Sequence, residues 1–367
     1  MKKIKLKLSK NSYNIFIGKY NYSQIIEEIK TANLNKNILI VIDENVDIYW
    51  GNYIKEPFIN YGHKINYYIL KSGEKSKSYK ELNKIYSYLL DNNFGRDALI
   101  IAIGGGVTGD LTGYAASTFM RGVQLIHVPT TLLAAVDSSI GGKTGINFNG
   151  NKNMIGTFHQ PNFVLIDINF LSSLPKKEIT SGIGEIIKYA FLSTPDFFNY
   201  VINNIEKVYD NNNKVISELI IKSVLIKSAV VSQDERESGL RKILNLGHTF
   251  AHAIESDLNF KIKHGEAVTA GIISTLYLSN KIGILKKNRM RDYLSLPLKI
   301  RLPQSLSSLN EKNMVNIMHL DKKSRDGMIN FVLLSEIGNI LVDVKASKND
   351  ILNSILNLKE AFNKNLV

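Results

Sequence analysis

The chain predicts an α/β domain over residues 1–170, built on a parallel sheet, and a mainly α-helical domain over 171–367. Three observations lead there. In the first half, continuous apolar runs of strand length alternate with helical stretches, as strand–helix–strand units do around a sheet covered on both faces. The most apolar of those runs feeds straight into a glycine-rich turn. From Leu171 onward helical periodicity takes over.

Taken in order, Lys3 to Leu8 alternates lysine with Ile4, Leu6 and Leu8, the pattern of a half-exposed strand. Ile38 to Ile42 is uniformly apolar and ends in Asp43-Glu44, as a buried parallel strand ends at its ligand-facing edge. Lys64 to Leu70 reads as a strand closed by the polar loop Ser72 to Lys77, and Ser78 to Leu90 as a helix. Ala98 to Ile103 is the strand that feeds Gly104-Gly105-Gly106-Val107-Thr108-Gly109-Asp110. Gln124 to Val128 leads into Pro129-Thr130-Thr131, and Phe163 to Ile168 closes this half. Residues 136–145 and 150–153, rich in small residues and carrying Lys143 and Lys152, read as one loop region. Pro175 opens a helix to Leu192, Pro195 opens a second, and Val215 to Ser232 forms a third. Ile329 to Leu334 and Ile340 to Val344, around Gly338, predict a hairpin.

Composition narrows the function classes. Apolar residues make up 44% and charged ones 22% of 367, an ordinary soluble globular balance. No apolar run reaches the roughly 18 residues of a membrane span, and no hydrophobic leader follows Met1. With no cysteine, a cytoplasmic setting is expected. The formal charge of +13 comes from scattered lysines rather than a stripe or tail, so nucleic acid is not the expected partner. It does favour small anionic substrates.

Three groupings carry chemistry. Gly104, Gly106 and Gly109 fit G-x-G-x-x-G between a strand and a helix, where helix-terminal N–H groups hold a pyrophosphate in a Rossmann-like fold; a structural tight turn also fits. The ribose-binding acid of the usual fingerprint is missing downstream, and Asp43 ends an earlier strand instead. His248 and His252 are four apart on one helical face, and His264 precedes Gly265-Glu266. With no cysteine, a transition-metal site here must use imidazole and carboxylate, a set that suits zinc with an open position. Helix-cap or core histidines fit the spacing equally well. Glu185 and Lys188 share a helix face among Ile183, Ile186 and Ile187, and a buried glutamate wants a cation.

Together these segments resemble the 3-dehydroquinate synthase family, NAD- and zinc-dependent sugar phosphate cyclases of the shikimate pathway. The resemblance rests on G-G-G-V-T-G-D at 104–110, R-G-V at 121–123, P-T-T-L-L-A-A-V-D-S-S-I-G-G-K-T-G at 129–145 and G-N-K-N-M-I-G at 150–156. It continues with G-E-I-I-K at 184–188, D-E-R-E-S-G-L-R at 234–241, L-N-L-G-H-T-F-A-H-A-I-E at 244–255, H-G-E-A-V at 264–268 and D-K-K at 321–323. The motifs stand in family order from about residue 40 to 335. Departures are Ala251 and Thr157, where the family pattern has Gly and Ala, and Thr112 in an otherwise Ala/Gly-rich turn.

The resemblance implies the fold of that family and a divalent ion, zinc with cobalt as a substitute, on Glu185, His248 and His264. It implies NAD against Asp43, Glu74, Lys77, Gly105, Gly106, Val107, Asp110, Thr130 and Thr131, with Lys143 and Lys152 close by. For the phosphosugar it implies Asp137, Lys143, Lys152, Asn153, Lys188, Lys227, Arg241, Asn245 and Lys322. His252 would contact the phosphate or shuttle protons, and Arg121 would reach a neighbouring subunit's phosphate site, so a homodimer is expected. The implied reaction takes 3-deoxy-D-arabino-heptulosonate 7-phosphate to 3-dehydroquinate and phosphate, on the route to chorismate and the aromatic amino acids. A recycled cofactor must not escape mid-cycle, so closure over the substrate is expected. Two other readings compete: a sibling cyclase such as a 2-deoxy-scyllo-inosose synthase, and a metal-dependent polyol dehydrogenase that would release NADH. Lys227, Arg241 and Asn245 favour the dehydroquinate reading over the sibling.

Overall fold

The structure, a computed structural model, describes residues 1–19, 23–34, 37–62, 65–321 and 328–363, so Lys322 lies outside the described residues. By contacts the chain divides into two units, Met1–Leu174 with Ile216–Glu235, and Pro175–Val215 with Arg236–Val367.

The first unit is built on strands β1 Lys2–Leu6, β2 Tyr13–Gly18, β3 Asn37–Asp43, β4 Ile65–Leu70, β5 Ala98–Gly104, β6 Gln124–Pro129, β7 Lys143–Phe148, β8 Asn151–Phe158 and β9 Phe163–Asp167. Seven of them form one sheet in the order β1-β2-β9-β6-β5-β3-β4, and β7 pairs with β8 separately. Only β1 runs antiparallel in the sheet; the other neighbours are parallel. Helices α1 Ser23–Thr31, α2 Glu44–Asn60, α3 Tyr79–Asp91 and α4 Gly106–Thr118 connect the strands. The continuous apolar runs follow from burial on both sides. Along β3, Ile38, Ile40 and Ile42 enter one core while Leu39 and Val41 enter the other, the two-residue alternation of a strand. The strand order reverses between β3 and β5, and at such a switch point the carboxyl ends of the strands open a ligand crevice.

Two features depart from the sequence reading. Residues 143–158 form an antiparallel hairpin rather than a loop, because Gly145 and Gly156 let its strands touch backbone to backbone: a Cβ on Gly156 would lie 2.1 Å from the Thr144 carbonyl oxygen. Residues 171–367 read as one mainly helical domain, whereas residues 216–235, most of helix α7 (Asn213–Gln233, after α5 Lys176–Phe191 and α6 Pro195–Asn204), group by contacts with the α/β unit. Helical periodicity records which face of a helix is buried and says nothing about the partner that buries it.

The second unit holds α5, α6, α8 His248–Asp257, α9 His264–Lys281, α10 Lys287–Leu294, α11 Glu311–Asp321, α12 Lys348–Asn363 and the hairpin of β10 Ile329–Glu336 with β11 Asn339–Ala346. Helix α9 is buried almost all round, from Gly265 to Leu276, and packs on α5, α8 and α12. A helix apolar on every side marks the centre of a bundle. Among the described residues no helix is long and apolar enough to cross a membrane.

Candidate active site

Two glycine crossings in the second unit decide where its polar side chains meet. At the first, α5 runs so close to α9 that a Cβ on Gly184 would lie 2.0 Å from the Gly265 carbonyl oxygen, and one on Gly265 would lie 1.7 Å from that of Ser181. At the second, α9 meets the start of α8, where a Cβ on Gly271 would lie 2.2 Å from the Gly247 carbonyl oxygen. Gly247 itself takes φ +81°, the left-handed region in which glycine avoids the Cβ penalty. Three of these four glycines have a ligand candidate beside them in sequence: Glu185 after Gly184, His248 after Gly247 and His264 before Gly265.

One ligand atom from each of Glu185, His248 and His264 lies within 4.8 Å of the others. Glu185 Oε1 is 3.6 Å from His248 Nε2 and 3.5 Å from His264 Nε2, while Oε2 takes the Lys188 ammonium. The outward ring nitrogens are held from behind: His248 Nδ1 is 3.2 Å from the Leu246 carbonyl oxygen, and His264 Nδ1 is 3.5 Å from Glu255 Oε2. Metal-binding imidazoles are oriented in this way, with the coordinating nitrogen facing in and the other one anchored. Burial, helped by the Lys188 charge, pulls the His248 pKa down to about 3 and so keeps that ring a neutral donor. Burial also acts to lower His264, but Glu185 and Glu255 more than offset it and raise its pKa to about 10. One carboxylate and two imidazoles at this spacing fit a divalent ion with a coordination position left open. His252 is exposed, its ring centroid 5.7 Å from that of His248 and outside the three-residue cluster. In the same unit Arg241 is buried and the Asn245 amide donates to Glu237 Oε1 at 2.8 Å.

In the first unit the expected cofactor residues gather at the carboxyl ends of β3, β5 and β6. Asp43 caps α2, accepting from the Asn45 amide at 2.9 Å and the Ser72 hydroxyl at 2.6 Å. Gly105 caps α4, and no side chain forms a capping hydrogen bond to the start of that helix at Gly106 and Val107. Thr130 donates its amide to the Gly104 carbonyl oxygen at 2.9 Å, and Thr131 Oγ1 accepts from the Ala134 amide at 3.1 Å. A second network links the β7–β8 hairpin to this edge. The Lys77 ammonium contacts both Asp110 and the Asn153 side-chain oxygen. Asn147 joins Glu74 at 2.7 Å and accepts from the Asn153 amide at 3.0 Å. Burial raises the Asp110 pKa and the neighbouring Lys77 charge opposes that rise. Asp137 sits in a π-type turn over Ala134–Ser138, its carboxylate taking Lys227 Nζ at 2.8 Å and its carbonyl at 2.7 Å. Such turns are often found at functional sites. Lys143 and Lys152 stand on β7 and β8, and Arg121 follows α4 in a left-handed conformation, φ 70°.

Residues 67–181 match the family model for the 3-dehydroquinate synthase N-terminal region, and residues 182–324 that for its C-terminal region. The chain belongs to the 3-dehydroquinate synthase family. The 3-dehydroquinate synthase of Acetivibrio thermocellus is 37% identical over 345 residues, 93% of this chain and 95% of that protein. The 3-dehydroquinate synthase of Buchnera aphidicola subsp. Cinara cedri is 41% identical over 360 residues, 97% of this chain and 98% of its own. Among solved structures, a 2-deoxy-scyllo-inosose synthase complexed with carbaglucose-6-phosphate, NAD+ and Co2+ is similar with a TM-score of 0.84 at 25% identity, covering 98% of this chain and 99% of that one.

Within this 3-dehydroquinate synthase scaffold, two residues escaped the sequence reading. Glu255 stands seven positions after His248, two helical turns along the same face, which was a usable signal. Asn147 carried none, because its role depends on a hairpin that the sequence does not announce.

Proposed function

We propose that the chain is a 3-dehydroquinate synthase, converting 3-deoxy-D-arabino-heptulosonate 7-phosphate to 3-dehydroquinate and phosphate. The observation that carries this reading is the Glu185–His248–His264 cluster, its carboxylate buried, in a chain of this family. NAD is the proposed recycled cofactor. Support comes from the start of α4, which no side chain caps, and from the NAD+ held by the related 2-deoxy-scyllo-inosose synthase. That enzyme also holds Co2+, and the one-carboxylate, two-imidazole donor set makes zinc the proposed metal here. A homodimer in the cytoplasm, with Arg121 serving the neighbouring subunit, completes the proposal.

Bound, the two groups supply reversible hydride acceptance and Lewis acidity towards a substrate oxygen. The residues do the rest. The first amides of α4 would offer a diphosphate the positive end of the helix dipole. Asp43, held by Ser72 and Asn45, offers a fixed acceptor to a ribose hydroxyl. Phosphate leaves by elimination and the product ring closes by an aldol step, so protons must move and a dianion must be held. Lys143, Lys152, Lys188, Lys227 and Arg241 are the proposed cations; Lys227 also fixes the Asp137 carboxylate, and His252 is the proposed proton carrier.

Incubation with the heptulosonate phosphate, NAD and zinc tests this. Phosphate and 3-dehydroquinate should appear together with no net NADH. NADH accumulating in step with substrate consumed would make the protein a dehydrogenase, and turnover of a different phosphosugar instead would make it a sibling cyclase.

A further inference from the structure

We infer that Lys188 controls how Glu185 holds the metal ion: by occupying one carboxylate oxygen it confines coordination to the other. The inference rests on the metal reading above and adds to Lys188 a role besides substrate binding. The carboxylate is already divided. Oε1 lies 3.6 Å and 3.5 Å from the inward nitrogens of His248 and His264, and Oε2 is taken by Lys188 Nζ. Neither group has room to rearrange, since the two side chains are only 2% and 1% exposed. They stand three apart on α5, so the ammonium rises from the same helix face as the ligand, within a stretch of that helix buried from Ile179 to Phe191.

Such a division matters because a carboxylate can bind a divalent ion through one oxygen or both. A second oxygen would fill a coordination position, and in a site with three protein ligands that position is the one a substrate oxygen needs. An ammonium on Oε2 prevents this at no loss of reach, because Lys188 has the length to meet the carboxylate one turn away. The plainer view makes Lys188 a counter-charge for a buried acid. A counter-charge becomes redundant once a divalent ion arrives, whereas a cap on Oε2 continues to act with the ion in place. The metal-loaded protein therefore separates the two roles. Lys188 is a positioning residue for the metal in this account, acting through Glu185.

Cobalt substitution reads coordination number directly, since its visible absorption weakens as ligands are added. Titrating the full chain with Co2+, we expect the wild type to show an intense visible band and His264→Ala to lose it. In Lys188→Met, and independently in Lys188→Gln, the band per bound ion should fall roughly twofold and shift, as Oε2 joins the ion and the count moves beyond four. Either variant suffices if the other fails to fold, with folding checked by circular dichroism. A folded Lys188 variant that binds one equivalent of cobalt with the wild-type spectrum overturns the inference and leaves the site intact. If the wild type gives no band, or His264→Ala keeps it, the metal reading fails instead, and this inference with it.

Discussion

His127 lies on β6 behind the glycine turn, its ring 3.6 Å from where a Cβ on Gly109 would stand. Burial lowers its pKa to about 4, so it is neutral in the folded protein at any ordinary pH. Unfolded, the same ring takes up a proton below about pH 6.5. The unfolded chain thus binds more protons between those two values, and stability must fall as pH drops through that window, by at most about 3 kcal/mol from this group. His127→Gln should flatten that part of the decline; urea unfolding of wild type and variant at pH 7 and pH 4.5 would show it. An equal decline in both would place the acid sensitivity elsewhere. Neighbouring residues explain how this chain tolerates its departures from the family pattern. Thr157 donates its hydroxyl to Ser117 Oγ at 2.7 Å and meets Thr144 Oγ1 at 2.9 Å, which ties β8 to both α4 and β7. Nothing in the structure explains Thr112, whose buried hydroxyl finds no partner among the described residues.

At the scale of elements, the ligand cluster is a by-product of how tightly three helices cross. An alanine at 184 would improve the helix propensity of α5 by about 1 kcal/mol. Its methyl group, however, would stand 2.0 Å from a carbonyl oxygen of α9, and backbone cannot rotate aside as a side chain can. Overpacking of this kind costs roughly 3 kcal/mol, so the clash wins. Gly184→Ala is expected to melt several degrees lower and to retain less than one equivalent of metal, both read on the same sample by thermal denaturation and elemental analysis. Full metal retention would mean that the crossing does not set the ligand geometry. The same elements mark what the sequence could disclose. Strands β3, β5, β6 and β9 were legible because a strand buried on both faces is apolar along most of its length. The ligand candidates were legible from residue type in a chain without cysteine. The β7–β8 hairpin was not, since its pairing depends on what Gly145 and Gly156 lack, and its exposed polar residues read as loop. Glu255 was missed for a related reason: a residue that only touches a ligand candidate has no spacing rule of its own beyond the helix repeat.

For the molecule as a whole, the formal charge of +13 favours an anionic ligand everywhere and selects none, so individual lysines must do the selecting. Lys152, on β8, is expected to serve the substrate more than the cofactor. An anionic substrate analogue should raise the melting temperature, because a ligand bound only by the folded state stabilises it by mass action. In Lys152→Ala both that rise and the turnover should shrink while NAD affinity stays near wild type, as melting curves and an NAD titration would show. Parallel losses for both ligands would mean that the two sets of residues are interchanged. The division of the chain has one more consequence, which belongs to its synthesis. Residues 216–235 complete the α/β unit and carry the Lys227 that holds Asp137. A ribosome that has released the first 174 residues has therefore delivered every strand of the seven-stranded sheet but not the helix that finishes its unit. Domains generally fold in the order in which they emerge. Here the earlier unit must wait through residues 175–215 of the later one, so the α/β half can finish folding only when Glu185, the first ligand candidate of the other half, has already been made.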